Sequence, residues 1–154
     1  MILRHSDPKQ LEKLAKYVIP HAHRRHIRVF MSKNIRLALK LRADGVHLPE
    51  IVARRGPLRI QSTPRGFMIS AAAHSKQALW RAQIAKAEVV MISPVFQTNS
   101  HIGAKPLGSI RALRMIRHCP NLKPVALGGI CPANVKRLKS KLMHGLAAIE
   151  AWST

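Results

Sequence analysis

Acidic residues are scarce in this chain: six Asp and Glu stand against 27 Lys and Arg in 154 residues, a formal net charge of +21. So one-sided a field concentrates anions, which points to phosphate-bearing partners, whether a diphosphate, a nucleic acid or an anionic lipid. A solvated basic surface with no specific partner is the bland alternative. Cysteine is nearly absent too. Cys119 and Cys131 have no histidine at metal-ligand spacing, so neither a zinc site nor a disulfide framework is indicated, and reduced thiols in a cytoplasmic protein are expected. Aromatics make up only 4% of the chain, so Trp80 and Trp152 read as packing anchors rather than base-stacking platforms. No run approaches the roughly 18 apolar residues of a membrane span, and no apolar run follows the basic residue of Met1–Pro8, which argues against secretion.

What is present is a 47% hydrophobic chain with no low-complexity tract, no internal repeat and no linker, so a single domain over 1–154 is expected. Seven apolar runs of β type punctuate it: Met1–Arg4, Ile27–Met31, Gly45–Leu48, Phe67–Ala72, Val89–Val95, Pro124–Gly128 and Leu146–Ala151. Stretches of helical period separate them. In Pro8–Ala22 the residues Leu11, Leu14, Ala15, Val18 and Ile19 share a face, and Asp7-Pro8 supplies an N-cap and a preset first-turn φ. Ile35, Leu37, Ala38, Leu39 and Leu41 repeat the pattern, and further helices are predicted over Ser75–Ala87, Leu107–His118 and Pro132–Met143. Glu50–Arg65, broken by Gly56, Pro57 and Pro64, reads as a short turn or helix.

Strand and helix in alternation predict βαβ units and a parallel sheet. A full eight-stranded barrel takes about 250 residues. The expected fold is therefore a TIM-type (β/α) barrel of parallel strands, truncated to about seven βα units, with the first βα unit and the last helix missing.

Four segments, in order and in register, resemble the thiamine phosphate synthase family and its TenI-type thiazole tautomerase relatives. They are Ala43-Asp44-Gly45-Val46-His47-Leu48, Ser70-Ala71-Ala72-Ala73-His74-Ser75, Ile92-Ser93-Pro94-Val95-Phe96-Gln97-Thr98-Asn99-Ser100, and Val125-Ala126-Leu127-Gly128-Gly129-Ile130 with Pro132 and Asn134. The resemblance implies a role in thiamine biosynthesis. Its reaction is a transferase-type coupling of an aminopyrimidine diphosphate to a thiazole phosphate, with diphosphate released as a pyrimidine C–O bond breaks. It also implies Mg²⁺ held by carboxylates, but this chain departs there: the family's Asn-Asp pair corresponds to Ser32-Lys33 and a second metal-binding Asp to Val52. Hard Mg²⁺ wants oxygen ligands. No metal ligand is assigned for this reason, and Lys33 becomes a candidate to hold diphosphate directly, a surface lysine at a helix start being the alternative.

Thr98 and Ser100 match the family's hydroxyl-bearing phosphate contacts, and His101 stands where a lysine usually follows. A protonated histidine can donate to an oxyanion, with its charge fading above about pH 6.5; an ordinary polar loop is the alternative. Gly128 and Gly129 lack Cβ atoms, so their N–H groups can approach a phosphate. Glu150, where the family has Ser, would repel one. His74 matches the histidine of the TenI-type enzymes, and general acid–base work in so acid-poor a chain falls most naturally on histidine; a hydrogen-bonded structural residue is the competing reading. His47, alternating with apolar neighbours, reads as a core histidine.

Three functions follow. The first is a synthase-like transferase, or a tautomerase, acting on phosphorylated small molecules. The second is a non-catalytic paralogue that binds such a metabolite. The third is a basic nucleic-acid-binding module, supported by His23-Arg24-Arg25-His26-Arg28 and Lys136-Arg137-Lys139-Lys141 but by no recognition motif. The open edges of a truncated barrel predict a homo-oligomer.

Overall fold

Asp7 accepts a hydrogen bond from Lys9 N (2.8 Å) and so caps α1 (Pro8–His23), which buries Leu11, Ala15, Ile19 and Ala22 in one stripe. The computed structural model describes residues 1–53, 63–98, 103 and 105–148. Within it lie β1 (Ile2–Leu3), β2 (Phe30–Ser32), β3 (Gly45–Leu48), β4 (Met68–Ala73), β5 (Val89–Ile92), β6 (Lys123–Leu127) and β7 (Gly145–Ala147). They form one sheet in the order β1-β2-β3-β4-β5-β6-β7, every neighbouring pair parallel, and curl into an open TIM-type half-barrel. The connecting helices are α2 (Ile35–Lys40), α3 (Glu50–Ala53), α4 (Lys76–Ile84) and α5 (Ser109–Ile116).

Strand alternation divides the side chains between two faces. Val46, Leu48, Ala71, Ala73, Val90, Ile92 and Ala126 pack with Ala78, Leu79, Ala82 and Met115 of the helices in one core. Leu3, Val29 and Met31 pack with α1 and α2 in a second. Burial of each large aliphatic side chain stabilises by about 1.5–3 kcal/mol, so these two clusters, both on the helix-facing side of the sheet, fasten the helices to it. Gly45 is required on the inner face: a Cβ there would strike Met68 O and lie 2.8 Å from the Phe30 ring.

Three helices end in the same way. His26 (φ 56°), Arg42 (φ 54°) and Lys86 (φ 54°) adopt the left-handed conformation just past α1, α2 and α4. In each case the next amide reaches back five residues, Ile27 N to Ala22 O, Ala43 N to Ala38 O and Ala87 N to Ala82 O, all at 2.9 Å. This bears on the late start of β2: the Ile27 amide is bound to the helix end, and pairing begins at Phe30 instead of at Ile27.

Other expectations need correction. The helix expected over Pro132–Met143 is only a 3-10 turn at Val135–Leu138, with Leu138 its buried residue. β5 stops at Ile92 and not Val95, because Pro94 has no N–H for the ladder. Trp80 is no packing anchor: it is 62% exposed, since α4 fills its core face with Ala78, Leu79 and Ala82. In the ambiguous 50–65 segment, Glu50–Ala53 forms the short helix α3, and residues 54–62 lie outside the described residues. Trp152 and the end of the expected Leu146–Ala151 strand lie outside the described residues. No helix among the described residues is long and apolar enough to cross a membrane.

Candidate functional site

Because all seven strands are parallel, the residues that follow them collect at one end, where barrel enzymes of this architecture place their chemistry. Lys33 follows β2, Glu50 follows β3, His74 follows β4, the 93–98 loop follows β5 and Gly128-Gly129 follows β6.

The loop after β5 and the turn after β6 are built into each other. Val95 N donates to Leu127 O and Phe96 N to Gly128 O, both at 3.0 Å. The loop's return is pinned alongside by Leu107 N to Pro94 O and Gly108 N to Val95 O, both at 2.9 Å. Gly128 (φ 97°) and Gly129 (φ 63°) take backbone conformations that L side chains resist. A Cβ on Gly128 would lie 2.9 Å from Pro94 Cα, and one on Gly129 would strike Gln97 O and lie 2.8 Å from Phe96 C. Asn134 staples the turn from the far side, donating through Nδ2 to Gly129 O (2.8 Å) and accepting from Cys131 N (3.0 Å). Sequence reasoning assigned Asn134 no such part; an Asn three residues after a turn amide is the local signal for it. Among the described residues neither the Gly128 nor the Gly129 amide has a backbone acceptor. The helix that Pro132 was expected to open is absent, so the cradle is made by the turn alone.

Thr98, half-buried, sits at the described end of the loop; Ser100 and His101 lie outside the described residues, as does Glu150.

Across the mouth, Ser32, His47 and Ser70 are register partners on β2, β3 and β4 and so share the inner face. His47 Nδ1 lies 2.9 Å from Ser70 Oγ. Burial, helped by the positive field of Arg4, lowers its pKa to about 4, so the ring is neutral at physiological pH. The core reading of His47 thus describes a half-buried, hydrogen-bonded ring. Ser32 Oγ is buried with no partner among the described residues, an uncommon state for a hydroxyl. Lys33 is exposed and left-handed (φ 65°), and its amide donates to His47 O at 2.9 Å.

His74 has a defined tautomer. Its Nδ1 lies within hydrogen-bond reach of Ser93 O, and a carbonyl only accepts, so Nδ1 carries a proton. Nε2 lies 4.0 Å from Glu50 Oε2, and the same oxygen accepts from His74 N at 3.3 Å. Glu50, a residue that sequence reasoning left aside, therefore orients His74.

The residues present do not fit Mg²⁺. Lys33 brings a competing positive charge to the place where the family has Asp, Val52 offers no oxygen ligand, and no three His, Cys, Asp or Glu cluster among the described residues.

Comparison with known proteins agrees with this architecture. A family model described as thiamine monophosphate synthase matches residues 1–152. The chain is 32% identical over 149 residues to a putative thiamine-phosphate synthase 2 of Aquifex aeolicus, covering 96% of this chain and 78% of that protein. It is 38% identical over 115 residues to the thiamine-phosphate synthase of Methanoculleus marisnigri, covering 75% of this chain but only 54% of that protein. Among solved structures, thiamine phosphate pyrophosphorylase from Pyrococcus furiosus superposes with a TM-score of 0.72 at 19% identity, covering 97% of this chain and 70% of that one. Fold and sequence agree: the chain belongs to the thiamine monophosphate synthase family.

Proposed function

We propose that this chain binds thiazole phosphate and aminopyrimidine diphosphate at the mouth and couples them, forming a C–N bond as the pyrimidine C–O bond breaks and diphosphate leaves. The observation that carries the reading is the pair of 3.0 Å hydrogen bonds locking the 93–98 loop onto the Gly128-Gly129 turn. The two glycine amides, without a backbone acceptor among the described residues, support it, since fixed N–H donors stabilise an oxyanion without reorganising. On this reading Gly128, Gly129 and Thr98, with Ser100 and His101, receive the thiazole phosphate. Ser32 and Lys33 receive the diphosphate, whose departing charge the lysine ammonium meets. His74, its ring held by Ser93 and Glu50, offers Nε2 to the bound substrates. The work is that of a cytoplasmic, single-domain protein; β1 and β7, the terminal strands of the described sheet, suit a homo-oligomer.

A second reading, binding without turnover, is favoured by one specific observation, the lysine at position 33 where the family keeps a metal-binding carboxylate. Two measurements separate the readings. Thiazole phosphate at a hundredfold excess over its Kd stabilises a binder by about 2.7 kcal/mol, visible as a rise in Tm. Product formation from both substrates establishes coupling. Stabilisation without product selects the second reading, and neither response refutes both.

A further inference from the structure

Beside the mouth, along α5, two cavities share a ridge made by Arg111 and Arg114, the one toward the Val135–Leu138 turn and the other toward the start of α4. The larger, about 580 Å³, has an apolar floor of Phe96, Leu107 and Ile110 and a third arginine, Arg137, on its far wall. The smaller, about 340 Å³, is closed by Lys76, His74 and Met115. Arg111 and Arg114 are exposed and spaced i, i+3, and Arg117 continues the stripe one further step. Neither Arg111, Arg114, Arg117, Arg137 nor Lys76 forms an ion pair among the described residues. The acids among the described residues are accounted for elsewhere. Glu12 pairs with Lys16 and Lys40, and Asp44 with His23. Asp7 caps α1, and Glu88 precedes β5 at the opposite end of the sheet. Glu50 accepts from the His74 amide.

We propose that this groove binds single-stranded nucleic acid, one base on the Phe96–Leu107–Ile110 floor and the following phosphates along the arginine ridge. Two features select that ligand. An apolar pocket of this volume suits a flat organic ring. Arginine binds phosphate by a bidentate fork and also stacks on rings. Trp80, 62% exposed and one turn along α4 from Lys76, offers a further ring for stacking. An anionic protein would use the charge but not the floor. The groove borders the mouth through His74 and Phe96, but Arg111 and Arg114 have no part in the coupling proposed above, so variants at these two positions test the groove alone.

The test is fluorescence anisotropy with a short labelled oligouridylate, titrated with salt. The wild-type chain binds, and Arg111→Glu with Arg114→Glu weakens binding at least tenfold at about 100 mM salt and flattens the log–log salt slope by about 1.4, two contacts at about 0.7 each. Arg111→Gln with Arg114→Gln repeats the loss more mildly should charge reversal disturb folding. Lys9→Glu with Lys13→Glu, an equal charge change on the exposed face of α1, leaves binding within twofold. Thiazole phosphate stabilisation is unchanged in the α5 variants. Absence of binding, equal loss in the α1 control, or equal competition by free mononucleotide overturns the proposal.

Discussion

Lowering the pH from 7 to 5 is expected to destabilise this protein through one side chain, His47. In the folded chain its pKa is lowered to about 4, first by burial against β4 and then by the neighbouring charge of Arg4. In the unfolded chain it returns to about 6.5. The folded value being the lower, the unfolded chain holds more protons anywhere between the two. The contribution is whole above about pH 6.5, erodes as pH falls through the window, and is spent below about pH 4. A full gap of about 2.5 units at about 1.36 kcal/mol each amounts to roughly 3 kcal/mol; the part lost by pH 5 is about 2 kcal/mol. At about 2–4 °C per kcal/mol for a domain of this size, Tm falls by about 4–8 °C. Thermal melts of the wild type and His47→Asn at pH 7, 6 and 5 isolate this effect. Asp44 and Glu12 contribute alike to both proteins and at lower pH. For Asp44 desolvation works upward, but the Val29 amide and His23 outweigh it and hold the carboxyl below its usual range. Glu12 is held low by hydrogen bonds from Lys16 and Lys40. Wild type and variant losing the same number of degrees between pH 7 and 5 would refute the argument.

Three further outcomes are expected. Gly129→Ala forces a Cβ onto Gln97 O at φ 63°, a strain of about 1–3 kcal/mol, so Tm drops and phosphate-dependent stabilisation is lost; an unchanged melt with full phosphate response contradicts the cradle. Ser32→Ala removes a buried hydroxyl without a partner, whose relief of about 1–2 kcal/mol raises Tm while diphosphate binding measured by calorimetry weakens. Lys33→Ala lowers diphosphate affinity about tenfold, the loss of about 1.4 kcal/mol from one charge-assisted contact, and added Mg²⁺ does not restore it; rescue by Mg²⁺ would show that a metal does what the lysine is assigned.

The periodicities that could be read in the sequence were those enforced by burial on a continuous face. Leu11, Ala15 and Ile19 announce α1, and Val46 and Leu48 announce the helix-facing side of β3. Where burial stops, the reading stops with it. Lys136, Arg137, Lys139 and Lys141 crowd like charges into the segment after Pro132, and only Leu138 finds a core to enter, so one 3-10 turn forms where a helix was expected. Trp80 was misjudged by composition, since nothing local says that two alanines already fill the slot beside it. At the mouth, the glycine pair was legible because its chemistry is local. The loop–turn hydrogen bonds, the Asn134 staple and the Glu50–His74 contact join residues distant in sequence or depend on exact turn geometry, and only the folded chain assembles them.

The recurring left-handed ends of α1, α2 and α4 carry a consequence for heat tolerance. At each, an L side chain sits where glycine would rest without steric conflict, a burden of about 1–2 kcal/mol per position, partly repaid by a positive group near the negative helix terminus. His26, Arg42 and Lys86 thus mark three places, all remote from the β-strand C-terminal ends, where the molecule could be hardened and its surface made less electropositive at a stroke.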